Sequence, residues 1–403
     1  MSRMKQAVII GGGASGIAAA IAAAEGSVPV TLIEKKEQLG KKLQVTGNGH
    51  CNFTNGDLKE ERYHSDDTAF LSACLKRFPT ERIVSFFERL GMLSQEKNGC
   101  YYPLSGQAQT VLTVLKNRLK DLNVKVLLNT DVTGIEKCED GNFRIRAGKE
   151  TILASDVVLS CGSEASVRDP RPFTAYGILK TLGLNVVPAY PSLVALYGNE
   201  GTEALWDGVR HLCRITIPGG VCETGEVQFT KKGISGIPVF QISHDAVGRI
   251  RKTGSCTVMI DLLPDHSKDE IRRLLAAQEG IRLDRVLSGW LPSKLGPAVV
   301  KKAQISASGT IGEYSEEETE RLLNALKSFE YRAVSHAGMQ DAQVSSGGLS
   351  LKEITEDCEV RRIGGLYVTG ELLNADGICG GYNLHFAFAT GLTAGSAIAG
   401  RSA

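Results

Sequence analysis

The chain has 403 residues and a net charge of +1, with 46 basic and 45 acidic side chains. This length allows two or three domains. The balanced charge, without a basic block, argues against nucleic acid or a membrane surface as the main partner. The sequence contains no uninterrupted apolar run of about 18 residues, so no membrane span is predicted. The ten cysteines lack CxxC or zinc spacing, which predicts reduced thiols, no metal site and a cytoplasmic protein.

The first elements form a strand (7–10), a glycine turn GGGASG (11–16), a helix (17–24) and a second strand (30–33). A glycine turn between a strand and a helix lets the backbone approach a pyrophosphate. The helix N-terminus then offers free N–H groups to the phosphates. Glu34 follows the second strand, where a carboxylate binds ribose hydroxyls in such units. The pattern predicts a dinucleotide site, with Gly11 in the turn, Gly13 facing the phosphates and Gly16 against the sheet.

The segment up to residue 162 alternates helices and strands. Its predicted helices are 68–77, 80–90 and 108–121, and its predicted strands are 100–103, 124–128, 143–146, 151–153 and 157–159. The last of these strands is buried and leads into Cys161 and Gly162, a second glycine turn. These elements extend the α/β pattern of the first unit.

After about residue 188 the sequence pattern changes from alternating helices and strands to short β-rich segments. Short β-rich segments at 193–197, 213–217, 226–230 and 256–260 predict an antiparallel sheet or barrel. The stretch 267–327 is charged and helical in pattern. The tail from 364 to 395 again shows a strand, glycines and a helix, so the two ends of the chain are expected to build one domain around an insertion.

The tail carries a second candidate site. A strand at 366–369 ends in Gly370 and Glu371, and a carboxylate there suits a polyol such as the ribityl chain of FAD. A helix from about Tyr382 would point its N-terminus at the flavin pyrimidine edge. Its dipole would stabilise negative charge on the reduced flavin. The prediction narrows from a dinucleotide to FAD.

Three segments carry a resemblance: KKLQVTGNGHCNFTN, EVQFTKKGISGIP and GELLNADGICGGYN. Together they resemble the YhiN-like (BaiN-like) family of FAD-dependent oxidoreductases, which includes aminoacetone oxidases and bile-acid-pathway reductases. The resemblance implies an α/β fold with three parts. They are a Rossmann-like FAD-binding domain (1–189 and 335–403), an inserted β-barrel-like domain (190–266 and 328–334) and a small helical subdomain (267–327).

The resemblance also implies cofactor-binding residues. The pyrophosphate turn comprises Gly11, Gly13, Ala14, Ser15 and Gly16, and the ribose acid is Glu34 with Lys35 beside it. The loop over the flavin contains Lys42, Thr46, Gly47, Asn48, Gly49, Cys51 and Asn52. The adenine side has Val132, with Cys161 and Gly162 at the second turn, and the ribityl and ring contacts are Gly370, Glu371, Asp376, Gly381, Tyr382 and Asn383. His50 stands where the family has Arg, and His385 where it has Gln.

The missing motifs bear on the reaction. The sequence has no second GxGxxG motif, so a resident nicotinamide site is not predicted. It also has no CxxxxC pair, so a thiol–disulfide relay is not predicted. We therefore expect hydride transfer between a transiently bound NAD(P)H and an organic acceptor, as in an enone or carbonyl reductase. The alternatives are an oxygen-using oxidase of a small amine such as aminoacetone, or a non-catalytic flavin-binding redox sensor. The sequence does not set the oligomeric state.

Several residues are candidates for the group that donates or accepts a proton, and each has an alternative structural role. His50 is the candidate acid or base, and a histidine bonded to loop backbone is the alternative. Cys51 is either a reactive thiol or a packing residue. Tyr176 and Arg168 could meet a substrate carbonyl or carboxylate, or serve the structure. His385 either faces the flavin or packs against it.

Overall fold

A computed structural model describes residues 6–169 and 171–402. The chain divides into two compact units. The first, here called the nucleotide unit, comprises Met1–Tyr190 and Val344–Ala403, and the second, the insert unit, comprises Pro191–Gln343. The further division into a β-rich domain (190–266 and 328–334) and a helical subdomain (267–327) stays a prediction.

The nucleotide unit is built on a five-stranded parallel sheet. In spatial order its strands are Leu366–Val368, Asp156–Leu159, Ala7–Ile10, Val30–Ile33 and Lys125–Leu127. The central strand is apolar throughout and fully buried, as expected of a strand covered on both faces. Because the strands are parallel, the loops after them meet at one edge of the sheet. That edge is where ligands bind in open α/β sheets.

Smaller elements complete this unit. Its helices are Ala14–Glu25, Thr68–Arg77, Thr80–Arg89, Ala108–Asp121, Ala175–Thr181 and Tyr382–Ser402. Its further strands are Thr54–Asn55, Tyr63–Ser65, Ser94–Lys97, Cys100–Pro103, Val132–Lys137, Phe143–Ala147, Glu150–Ala154, Val344–Leu349 and Ala375–Gly377. The strand Val186–Ser192 runs across the boundary of the two units.

The first and last helices of the unit pack closely through small residues. A Cβ at Gly391 would lie 2.2 Å from the Ser15 carbonyl oxygen, and one at Gly395 would lie 2.4 Å from that of Ala19. Glycine at both positions therefore permits this contact. The C-terminal helix is fixed against the helix that begins at the glycine turn, so the two ends of the chain share one core.

The insert unit contains a seven-stranded antiparallel sheet. Its spatial order is Phe329–Ala333, Cys256–Asp261, Val209–Thr216, Cys222–Thr230, Gly233–Ser235, Leu196–Tyr197 and Ser335–His336. The two edge strands follow one another in the chain, separated only by Val334. The sheet must therefore curl until its edges approach each other, which confirms the barrel-like prediction. Trp206 packs against Phe229, Phe329 and Tyr331 in its core.

The helices of the insert unit are Glu203–Trp206, Ile237–Thr253, Lys268–Ala276, Leu283–Trp290, Leu295–Ala303 and Glu316–Lys327. The helix Ile237–Thr253 is absent from the sequence predictions, although Pro238 in its first turn and the left-handed Gly254 after it are helix-boundary signals. The predicted strand 193–197 is too long. The strand covers only Leu196–Tyr197, and Leu193 has a positive φ of 54°.

Two predictions concern the whole chain. No helix among the described residues is both long and apolar enough to cross a membrane. All ten cysteines lie within the described part of the chain, and none of them is joined in a disulfide there.

Candidate functional site

The glycine turn (11–16) lies at the carboxyl edge of the parallel sheet. A Cβ on Gly16 would lie 1.9 Å from the Gly11 carbonyl oxygen and 2.5 Å from the Ser160 hydroxyl, so the helix approaches the sheet too closely for any other residue. A Cβ on Gly13 would meet nothing within 4 Å. Gly13 precedes the helix that begins at Ala14. The turn is therefore packed on one side and open on the other.

Glu34 follows the neighbouring strand, and its carboxylate holds the turn in place. One carboxylate oxygen accepts a hydrogen bond from the Gly12 N–H at 2.7 Å, and the other accepts one from the Lys36 N–H at 2.8 Å. Each oxygen can accept a further hydrogen bond. Glu34 thus combines a structural role with remaining capacity for a ligand hydroxyl.

The adenine-side residues predicted from the resemblance lie around the same edge. The Lys35 ammonium donates to the Pro172 carbonyl oxygen at 3.0 Å, and the Thr174 hydroxyl donates to the Val132 carbonyl oxygen at 3.2 Å. Burial raises the pKa of the Cys161 thiol to about 12, with the nearby Glu34 acting in the same direction. This thiol is therefore protonated at neutral pH. A Cβ on Gly162, which has a positive φ of 68°, would meet no atom within 4 Å.

Glu371 lies at the centre of a polar cluster. Its carboxylate pairs with the Lys42 ammonium at 2.6 Å, accepts from the Ser163 hydroxyl at 2.8 Å and accepts from the Ser345 N–H at 3.1 Å. The preceding Gly370 approaches the first turn, since its Cβ would lie 2.5 Å from the Ser15 hydroxyl. The two glycine-containing sites predicted from opposite ends of the chain are therefore adjacent.

The loop after the second strand forms an irregular helical segment, Leu43–Gly49. Gly47 and Asn48 both adopt left-handed backbone angles, with φ of 55° and 53°. The Thr46 hydroxyl donates to the Leu43 carbonyl oxygen at 2.7 Å, and Gly49 is also left-handed, with φ of 86°. The segment is a compact turn rather than a continuous helix.

The two chemically reactive candidates of this loop differ in exposure. His50 is exposed, and its Nδ1 lies 2.6 Å from the Gly106 carbonyl oxygen. Cys51 is fully buried, and burial raises the pKa of its thiol to about 12, against a hydrogen bond with Thr46. Cys51 is therefore a protonated packing residue in this structure.

The start of the C-terminal helix meets the same loop. A Cβ on Gly381 would lie 2.6 Å from Asn52 Oδ1, which is buried and has no hydrogen-bond partner among the described residues. The Asn383 side-chain oxygen accepts a hydrogen bond from the Gly377 N–H at 2.8 Å, and its side-chain nitrogen donates to the Gly377 carbonyl oxygen at 2.7 Å. The hydroxyl of Tyr382 donates to the Asp57 carbonyl oxygen at 3.3 Å. Asn383 thus fixes the glycine-rich loop, while Asn52 retains a free acceptor.

Asp376 lies in the short strand Ala375–Gly377 and is buried, with 2% of its surface exposed. The Ser346 hydroxyl donates to its carboxylate at 2.8 Å.

His385 is fully buried in the first turn of the C-terminal helix, and its Nδ1 lies 2.8 Å from the Thr54 hydroxyl. Burial lowers its pKa to about 4, while the Phe78 backbone carbonyl opposes this shift. The imidazole is therefore neutral at physiological pH.

His385 should make the protein acid-sensitive. Its folded pKa of about 4 lies below the unfolded value of about 6.5, so the unfolded chain binds the proton more strongly. Its contribution to stability is complete above pH 6.5 and is lost as the pH falls towards 4. We expect a loss of about 2 kcal/mol in unfolding free energy between pH 7 and pH 5. Urea unfolding of the wild type and His385→Gln at both pH values measures it, and an equal loss in both proteins would contradict the prediction.

Sequence reasoning missed part of the Glu371 cluster. Ser163 and Ser345 contact the carboxylate, and neither belongs to a recognised motif. The only signal was the paired serines before two glycines in VSSGGL (344–349).

Comparison with known proteins agrees with this geometry. The profile of the family described as "HI0933-like protein Rossmann domain" matches residues 5–397. A "3-dehydro-bile acid delta(4,6)-reductase" of Clostridium scindens is 36% identical over 99% of this chain and 100% of its own length. A "Ribosomal RNA dihydrouridine synthase" of Haemophilus influenzae is 27% identical over 97% of each chain.

A solved 3-ketosteroid delta1-dehydrogenase of Sterolibacterium denitrificans has the same fold. It covers 99% of this chain and 100% of its own, with a TM-score of 0.54 and 14% identity. The family predicted from the three sequence segments is confirmed. The chain belongs to the HI0933-like Rossmann-domain family and is an FAD-dependent oxidoreductase.

Proposed function

We propose that the protein is an FAD-dependent reductase that saturates a carbon–carbon double bond conjugated to a carbonyl group. A transiently bound NAD(P)H is the proposed reductant. The observation that carries the substrate class is the full-length relative, 36% identical, named as a reductase of a dehydro-bile acid. FAD, when bound, supplies the hydride chemistry.

Two features of the chain fit FAD. The first is the open side of the glycine turn, where Gly13 and Gly162 leave space that a side chain would fill. The second is the buried acceptor Asn52 Oδ1 beside the N-terminus of the C-terminal helix, which suits a ring N–H of the flavin.

We assign roles to the chain's residues on this basis. The N–H groups at the start of helix Ala14–Glu25 bind the pyrophosphate. Glu34 accepts hydrogen bonds from the ribose hydroxyls and from the Gly12 N–H of the glycine turn. Glu371, which is oriented by its ion pair with Lys42, accepts a hydrogen bond from a hydroxyl of the ribityl chain. The other cofactor contacts that we propose are Lys35, Thr46, Gly47, Asn48, Gly49, Cys51, Asn52, Val132, Cys161, Gly162, Gly370, Asp376, Gly381, Tyr382 and Asn383. His50 stays a candidate acid or base on an exposed loop.

A second candidate is reduction of uridine in ribosomal RNA. Two relatives, each 27% identical, are named ribosomal RNA dihydrouridine synthases. The chemistry is related, because the double bond of uracil is also conjugated to a carbonyl. We favour a small organic substrate because the chain has a net charge of only +1, which gives little attraction to a polyanion. The ten free thiols support our proposal of a cytoplasmic location.

Anaerobic flavin kinetics test these proposals. The purified protein is mixed in turn with NADH, NADPH and aminoacetone, and bleaching of the flavin band is followed. The reduced protein is then mixed with a 3-keto-4-ene steroid, with a uridine-containing ribosomal RNA hairpin, or with oxygen.

We expect bleaching by a nicotinamide and fastest reoxidation by the steroid. Reoxidation by the RNA alone would select the second candidate. Bleaching by aminoacetone alone would select an amine oxidase. A protein that holds no flavin, or a flavin that none of the reductants bleaches, would overturn the proposed function.

A further inference from the structure

Two buried hydroxyl groups near Glu371 have no hydrogen-bond partner among residues 6–169 and 171–402. Tyr176 lies in the first turn of helix Ala175–Thr181, and Ser345 lies in strand Val344–Leu349. Neither hydroxyl oxygen is bonded to any group in the described part of the chain, and both oxygens are buried. A buried polar group left unpaired costs about 1–3 kcal/mol. Such a group in a native fold requires a ligand, a water or a function.

One hydrogen bond and one electrostatic interaction place the pair near Glu371. The Ser345 N–H donates to the Glu371 carboxylate at 3.1 Å, so the Ser345 side chain starts next to this carboxylate. Burial raises the pKa of Tyr176 to about 12, opposed by the neighbouring Ser345 hydroxyl, which lies near it but outside hydrogen-bonding geometry, and reinforced by Glu371. Both hydroxyls therefore lie close together, and Tyr176 is protonated at neutral pH.

Glu371 already receives three hydrogen-bond donors. Ser163 and the Ser345 N–H bond to one of its oxygens, and Lys42 bonds to the other. The side-chain hydroxyls of Tyr176 and Ser345 remain as two donors with no acceptor in hydrogen-bonding geometry in the described part of the chain. The ring of Tyr176 is held in place by Phe173, with centroids 4.9 Å apart and planes at 72°. This arrangement is complementary to a ligand oxygen that accepts two hydrogen bonds.

We propose that Tyr176 and Ser345 together bind the carbonyl oxygen of the substrate enone. This inference rests on the proposed function and names the substrate atom that the site recognises. Two hydroxyl donors on one carbonyl oxygen draw electron density from the conjugated double bond. They also stabilise the negative charge on that oxygen after the β-carbon accepts a hydride and until the α-carbon takes up a proton that comes from water. Neither hydroxyl makes or breaks a covalent bond in this role.

Ligand binding to the oxidised, FAD-loaded protein tests the assignment without turnover. Two probes are titrated while the flavin spectrum is recorded: a 3-keto-4-ene steroid and the same steroid without the 3-keto oxygen. The wild type should bind the ketone more tightly by about tenfold or more, because the site's buried donors are left unpaired by the second probe. Tyr176→Phe keeps the ring and its contact with Phe173, and Ser345→Ala removes the other hydroxyl.

Each variant should lose most of the preference for the ketone while it retains FAD and still binds the deoxy steroid. Tyr314→Phe is the matched control, since the Tyr314 hydroxyl bonds to the Ser306 carbonyl oxygen in the insert unit. An unchanged preference in Tyr176→Phe, or loss of FAD from it, would overturn the inference alone. A wild type that holds FAD but neither binds nor reduces the ketone would overturn the proposed function and this inference with it.

Discussion

Gly13→Ala should produce a folded protein that no longer retains FAD. Gly13 has φ −85° and ψ −169°, angles that alanine adopts readily, and its Cβ would meet nothing within 4 Å. Its unfolding free energy should therefore stay within about 1 kcal/mol of the wild type. The added methyl group would occupy the space that the pyrophosphate needs. We expect FAD affinity to fall by at least about tenfold, or about 1.4 kcal/mol.

Gly16→Ala, in the same turn, is the contrasting variant. Its Cβ would lie 1.9 Å from a backbone oxygen of Gly11, so the helix must move away from the sheet. We expect a loss of about 3 kcal/mol or more in unfolding free energy, at the upper end for overpacked sites. Urea unfolding and fluorescence titration of the apoprotein with FAD measure both quantities. Full FAD retention by Gly13→Ala, or wild-type stability of Gly16→Ala, would refute the assigned geometry.

Glu34→Ala should weaken FAD binding by on the order of 10- to 100-fold, since hydrogen bonds to a charged acceptor contribute about 1.5–3 kcal/mol. The structure adds a second cause to the ribose contact. The carboxylate also binds the N–H groups of Gly12 and Lys36, so its removal leaves two donors of the cofactor loop without their acceptor.

Glu34→Gln separates the two causes, because the amide oxygen still accepts one of these bonds while the amide nitrogen cannot accept the other. We expect it to bind FAD with an affinity between those of the wild type and Glu34→Ala. Glu37→Ala is the control, since that carboxylate is exposed and forms an ion pair with the exposed Lys41. FAD dissociation constants from apoprotein titration give the comparison. An affinity of Glu34→Ala equal to that of Glu37→Ala would remove Glu34 from the cofactor site.

Local patterns were sufficient for part of the fold. The strand, glycine turn and helix from Ala7 to Glu25 follow from neighbouring residues, because the turn needs glycine for its backbone and the strand needs apolar side chains on both faces. Helix Ile237–Thr253 was missed although its boundaries carry proline and glycine signals. It lies among short β-rich segments that favoured an all-β interpretation, although its apolar residues Val239, Ile242, Ala246 and Ile250 recur at helical spacing.

Long-range contacts could not be predicted in the same way. Lys42, Ser163 and Glu371 lie far apart in the chain and meet only because parallel strands bring their following loops to one sheet edge. The burial of His385 and of the Tyr176 hydroxyl likewise depends on which elements pack over them. Sequence patterns at these positions were compatible with surface, packing or catalytic roles.

The amino-acid sequence by itself determined that this chain binds a dinucleotide, that the dinucleotide is FAD, and which family it belongs to. The first two conclusions rest on short motifs whose function is set by backbone geometry within a few residues, and the third rests on the resemblance of three segments to that family. Only the tertiary structure decided which side chains surround Glu371, which thiols are buried and protonated, and where two hydroxyl donors remain unpaired. The physical reason is that burial and hydrogen-bond partners are properties of the packed chain, since they depend on residues from distant segments.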